Sequence, residues 1–118
     1  MESLLKWKNS TYRRPLILRG ARQTGKTWLL KEFGRIAFNK MVYVNFEETP
    51  ALQNLFLTDF DITRIVTTIS IFTNTSIDAK DTLLVFDEIQ SAEKGLTSLK
   101  YFCENAPEYY FLTCPLEN

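Results

Sequence analysis

Gly20-Ala21-Arg22-Gln23-Thr24-Gly25-Lys26-Thr27 decides the fold of this chain. Its form is Gly, four residues, Gly-Lys-Thr, the pattern of a phosphate-binding loop. Each part has a physical reason. Glycine permits backbone turns that other residues resist and lets amide groups come close to a phosphate. Those amides, with the start of the following helix, make a positive cradle for anions. All eight positions from Gly20 to Thr27 are therefore candidates for holding a nucleotide. Lys26 is expected to reach the β- and γ-phosphates, and the Thr27 hydroxyl to take one position on Mg²⁺. Arg22 is expected to point out of the loop, toward a partner.

The flanks supply the context that this motif needs. Pro15-Leu16-Ile17-Leu18 is a short apolar run that reads as a buried strand. Trp28-Leu29-Leu30-Lys31-Glu32-Phe33 reads as a helix. A plain glycine turn between strand and helix, with Lys26 a surface charge, is the alternative reading of the same residues.

At 118 residues the chain is at most one domain. Hydrophobic residues make up 45% and charged residues 24%, enough apolar material for a core. Lys plus Arg balances Asp plus Glu, 14 against 14, so no net charge points to nucleic acid or an anionic membrane. Basic residues do gather locally at Arg13, Arg14, Arg19, Arg22 and Lys26, where a polyphosphate would sit, although Arg13 and Arg14 read better as a solvated turn ahead of the strand. The absence of histidine excludes histidine-based catalysis. Cys103 and Cys114 lack metal-ligand spacing and read as packing residues of a reduced, cytoplasmic protein. No stretch approaches the ~20 apolar residues of a membrane span, and the N-terminus has no signal-peptide run.

Along the chain, residues 2 to 8 form a short helix with Leu4, Leu5 and Trp7 on its apolar side. Strand one covers Leu16 to Arg19. The helix after the loop puts Leu29, Leu30, Phe33, Ile36 and Ala37 on one face. Gly34 inside it costs about 1 kcal/mol against alanine and is expected to fray the later turns. Met41 to Phe46 is strand two. Ala51 to Leu57 is a short helix started by Thr49-Pro50. Asp61 caps a helix from Ile62 to Phe72, with Ile62, Ile65, Val66, Ile69 and Phe72 on one side. Its threonines leave a strand as the alternative. Thr82 to Phe86 is an apolar strand that ends in Asp87-Glu88. Ser91 caps a helix from Ala92 to about Asn105, with Leu96, Leu99, Phe102 and Cys103 inward. Tyr109 to Thr113 is the fourth strand. Strands alternating with helices imply a parallel sheet covered on both faces.

Asp87 and Glu88 supply the second half of a site. A buried strand delivers its terminal acid to the carboxyl edge of the sheet, where ligands bind in open α/β folds. Asp87 is expected to hold the metal alongside Thr27, and Glu88 to polarise the water that attacks the γ-phosphate. Solvated carboxylates at a strand end are the alternative. Thr113 is either a sensor of the γ-phosphate or an ordinary strand-end threonine. Glu48 reads as a solvated acid near the same edge. Trp7 and Tyr12 read as core residues rather than adenine contacts.

Pro15 to Thr27 (PLILRGARQTGKT), Asn45-Phe46-Glu47-Glu48, Leu83 to Gln90 (LLVFDEIQ) and Ser91 to Tyr109 resemble the AAA-type ATPases of bacteria and archaea that carry a DUF4143-type C-terminal domain. The resemblance implies a P-loop NTPase three-layer fold, a five-stranded parallel sheet in order 5-1-4-3-2, ATP, Mg²⁺ and a separate C-terminal domain. The chain departs from that family in two respects. Cys114-Pro115-Leu116 stands where the family has a small-residue Gly-Ser segment. The sequence then stops at Asn118, ahead of strand five, an arginine finger and the C-terminal domain. The expectation is a partial ATPase domain with four of five core strands. Strand one would form a sheet edge open to self-association or a protein partner. Nucleotide would be held weakly, with slow hydrolysis. A nucleotide-dependent switch with little turnover, or an inactive fragment, are the alternatives.

Overall fold

The computed structural model describes residues 2–10, 16–17 and 26–114, with the loop Gly20–Gly25 outside that set. Lys26 and Thr27 enter as backbone positions at the start of a helix.

The described elements alternate as expected. They are α1 (Glu2–Lys8), β1 (Leu16–Ile17), α2 (Lys26–Ala37), β2 (Lys40–Asn45), α3 (Ile62–Thr73), β3 (Thr82–Asp87), α4 (Gly95–Asn105) and β4 (Tyr110–Cys114). The four strands form one sheet in the order β1-β4-β3-β2, all neighbours parallel. This is the order the family resemblance implied for strands one to four. β3 is central and pairs along its whole length, from Lys40↔Thr82 to Asn45↔Asp87 on one side and from Leu83↔Tyr110 to Asp87↔Cys114 on the other.

A strand buried on both faces needs apolar residues at every position, because successive side chains point to opposite sides. Leu83, Leu84, Val85 and Phe86 are all fully buried. Leu83 and Val85 join Leu4 of α1, Leu30 and Phe33 of α2, Phe38 and Leu112 in one core. Leu84 and Phe86 join Ile65, Val66 and Ile69 of α3, Leu99 and Phe102 of α4, Val42, Val44 and Phe111 in the other. The molecule is thus a three-layer α/β/α sandwich. Each buried aliphatic or aromatic side chain contributes about 1.5–3 kcal/mol to it. Trp7 packs edge-on against Tyr110 and tilted against Phe33, a core residue as expected. Lys8 Nζ donates to Ala37 O at 2.6 Å, which fastens α1 to the carbonyl end of α2.

Several local expectations change. Gly34 does not fray α2, which runs on to Ala37. A Cβ there would come within 3.0 Å of both Cβ and Sδ of Met41, so the glycine lets the helix lie close to β2. Ile36, expected inward, is 55% exposed. The helix expected from Ala51 shrinks to a 3₁₀ turn over Pro50–Leu52, followed by irregular chain that still buries Leu55 and Phe56. α3 is helical despite its threonines, because Asp61 caps it and Ile65, Val66 and Ile69 bury one face, while Thr68 and Thr73 satisfy their hydroxyls on the carbonyls of Arg64 and Ile69 at 2.8 Å. Phe72 is 52% exposed, since the helix end runs past the sheet-facing side. Ser91 caps nothing. It closes a 3₁₀ turn over Ile89–Ser91, and α4 starts only at Gly95 after Lys94 takes a left-handed conformation. That later start rotates Leu96 out, 54% exposed, and turns Ser98 in.

Candidate functional site

In a parallel sheet the carboxyl ends of all strands lie along one edge. α2 ends at Ala37, three residues before β2 begins, and Asn39 and Lys40 donate their backbone N–H groups to Asp81 O at 3.0 and 3.1 Å. The C-terminus of α2 is therefore at the amino edge of the sheet. Its N-terminus, Lys26-Thr27, is at the carboxyl edge, about 18 Å away at 1.5 Å per residue. The same edge carries Asn45, Asp87 and Cys114, the last residues of β2, β3 and β4.

Parity then decides which layer each side chain meets. Asp87 follows Leu83 and Val85 by two-residue steps, so it belongs to the face covered by α1 and α2. The helix opening at Lys26-Thr27 and the half-buried carboxylate of Asp87 thus share one face and one edge. Asp87 Oδ2 accepts a hydrogen bond from the hydroxyl of Tyr43, which sits on the same face of β2. The backbone O of Asp87 accepts from Phe46 N at 3.0 Å, locking the exit of β2 to the tip of β3.

Glu88 leaves the strand in a left-handed conformation, φ 54° and ψ 43°. Outside glycine this is uncommon and costs on the order of 1–3 kcal/mol. The chain holds it there through Ser91 N to Glu88 O at 3.0 Å. The Glu88 residue is only 5% exposed, and its Oε2 accepts from Gln90 Nε2 at 2.9 Å. A glutamate held at a strained, buried turn immediately after the acid of β3 has the form of a functional site.

The other candidates resolve differently. Thr113 is buried on the α3/α4 side, and its Oγ1 donates to Phe86 O at 2.8 Å. The hydroxyl joins β4 to β3, as an ordinary strand-end threonine does. Asn45 Oδ1 accepts from the N–H groups of Glu47 and Glu48 at 3.0 and 3.1 Å, an Asx turn that ends β2 and leaves Glu48 exposed. Cys103 is a free, half-buried thiol. Gly20 to Gly25, Tyr12, Arg13, Arg14, Arg19 and Arg22 lie outside the described residues. Tyr43 and Gln90 escaped the sequence reading. Tyr43 precedes Asn45 by two residues, and the β2–β3 register puts it on the face of Asp87.

Among the described residues no three His, Cys, Asp or Glu side chains group as metal ligands. Mg²⁺ beside a nucleotide asks for no such group, because one or two protein oxygens suffice when phosphates and water supply the rest. Asp87 is a hard oxygen donor at the sheet edge, on the face where α2 opens, and its chemistry fits that ion. Among the described residues no helix is long and apolar enough to cross a membrane.

A family model described as an AAA domain matches residues 12–114. Neither a curated protein sequence nor a solved structure gives a significant match.

Proposed function

The chain belongs to the AAA domain family, a nucleotide-binding, ATPase-type family, and from that premise we propose that it binds ATP with Mg²⁺ between the start of α2 and the tip of β3 and is built to hydrolyse the γ-phosphate. Gly20 to Thr27 bind the phosphates, and Lys26 neutralises their charge. Thr27 and Asp87 would hold Mg²⁺, which when bound withdraws charge from the phosphate oxygens. Glu88 orients the attacking water and takes its proton onto a carboxylate oxygen. The low exposure of Glu88 keeps bulk water from competing for that carboxylate.

One observation supports this reading above the others. The alternation of β3 sends Asp87 to the layer of α2, and a strained glutamate follows it directly. The experiment is a pair of measurements on the full chain. ATP should raise the melting temperature of the wild type in Mg²⁺, and Lys26→Ala should abolish that rise. Glu88→Gln should keep the stabilisation but lower phosphate release by about 10²-fold or more. Stabilisation that survives Lys26→Ala would remove the loop from the mechanism.

The second reading, a nucleotide switch with little turnover, is favoured by the Gln90–Glu88 hydrogen bond, which engages one oxygen of the carboxylate that hydrolysis needs. It predicts ATP stabilisation that depends on Lys26 without phosphate release above background.

A further inference from the structure

We propose that Tyr43 sets the metal preference of this site by holding one oxygen of Asp87. The inference rests on the reading of Asp87 as the metal acid and adds a residue that neither the loop motif nor the acidic strand end contains.

Tyr43 lies on β2, opposite Val85 in the β2–β3 register and one step of two residues from the Asn45–Asp87 pair. One strand spacing across and two residues along put such diagonal neighbours roughly 8 Å apart, within reach of a tyrosine side chain. The side chain is partly exposed, and its hydroxyl donates to Asp87 Oδ2. Phenylalanine would cover the same patch of the sheet; the hydroxyl adds a donor aimed at the acid.

A carboxylate with one oxygen engaged by a phenol is a poorer chelator. Charge is drawn toward the donor on the engaged oxygen, while the fixed plane holds the other oxygen in one orientation for a single metal bond. Ca²⁺ takes six to eight oxygens and readily uses both oxygens of a carboxylate. Mg²⁺ keeps a tight octahedron and is satisfied by one carboxylate oxygen or by a water held on it. The Tyr43 hydroxyl thus works against two-oxygen capture and favours Mg²⁺ over Ca²⁺. Tyr43 is a positioning residue: it acts on the metal through Asp87.

The test measures the thermal stabilisation given by a non-hydrolysable ATP analogue, titrated separately with Mg²⁺ and Ca²⁺. It compares wild type, Tyr43→Phe and Asp87→Asn as full chains. In Tyr43→Phe the Mg²⁺ concentration for half the shift should rise about tenfold, the lower end of what loss of a ligand's hydrogen-bond partner does to metal affinity. The Ca²⁺ concentration should stay level or fall, so the preference for Mg²⁺ narrows. The preference is a ratio within each variant, so a general loss of stability in Tyr43→Phe cancels. An unchanged ratio overturns the proposal, whether both metals weaken together or neither does. Asp87→Asn separates the two levels. If the wild-type shift depends on metal and Asp87→Asn removes that dependence, an unchanged Tyr43→Phe ratio sinks this inference alone. If the wild-type shift ignores metal, the metal reading of Asp87 falls and takes this inference with it.

Discussion

At Gly95 the first turn of α4 lies directly against the backbone of Ile89. A methyl group there would overlap the Ile89 carbonyl oxygen and come within 3.0 Å of its Cγ1. Backbone cannot swing aside as a long side chain can, so Gly95→Ala should destabilise the fold by about 2–3 kcal/mol despite alanine's better helix propensity. A lower urea midpoint at unchanged slope would register this; a midpoint at or above wild type would contradict it. The tightness matters for the site, because Ile89 follows Glu88 and fixes the turn in which that glutamate sits. None of this was readable beforehand. The Asp87-Glu88 pair announced itself as a strand end with two acids, and the apolar run before it gave its place on the sheet. The left-handed turn at Glu88, the hydrogen bond from Gln90 and the glycine contact are relations between residues up to six apart in a non-repeating segment, where no periodicity guides the eye. Tyr43 was hidden for a different reason: its partner lies 44 residues away.

α3 and its lead-in show what a local signal can and cannot carry. The helix begins where Asp61 accepts from Thr63 N at 3.1 Å, a cap written in adjacent residues, and its inner face is Ile65, Val66 and Ile69. Both features were legible because capping and a 3.6-residue period need only the segment itself. The start of α4 was misplaced at Ala92 because Ser91 had the composition of a cap while tertiary packing at Gly95 chose another start. The irregular stretch before α3 is held by Arg64, which donates to Leu55 O at 2.7 Å, Asp59 O at 3.0 Å and Asp59 Oδ1 at 2.8 Å. Removing the two carbonyl bonds by Arg64→Ala should cost about 1–2 kcal/mol, and the exposed ion pair should add little. The Arg64 hydrogen bond, then the N–H of Asp61, holds the Asp59 carboxyl below the ordinary carboxylate pKa. A lowered folded-state pKa means stability present above the unfolded value and lost as pH falls through the folded one. The gap between wild type and Asp59→Asn should thus stay level from neutral pH to the usual carboxylate range and shrink below it. A gap that grows on acidification would reverse the sign.

The whole molecule hangs on β3, because consecutive residues of that strand serve different cores. Leu83 belongs with α1 and α2, Leu84 with α3 and α4. Leu83→Ala and Leu84→Ala should each cost about 2–5 kcal/mol. If the sheet couples the layers, either variant lowers one common unfolding transition; two separate transitions would mean that the layers melt independently. The apolar run at Leu83–Phe86 foretold a strand buried on both sides, yet a continuous apolar run cannot say which residue meets which layer. The strand order likewise came from family likeness and not from the residues themselves. The aromatic residues are divided unequally between the two layers, and this gives the protein a one-sided optical label. Its two tryptophans are Trp7, set among Phe33 and Tyr110 in the α1/α2 layer, and Trp28, 67% exposed on the first turn of α2. The opposite layer is furnished with Phe46, Phe56, Phe86, Phe102 and Phe111, which emit weakly. Tryptophan emission is accordingly confined to one side of the sheet. Acrylamide should quench Trp28 first, leaving Trp7 as a dye-free reporter of the layer that abuts Asp87, while Trp28, two positions after Lys26, offers an unlabelled view of the phosphate end.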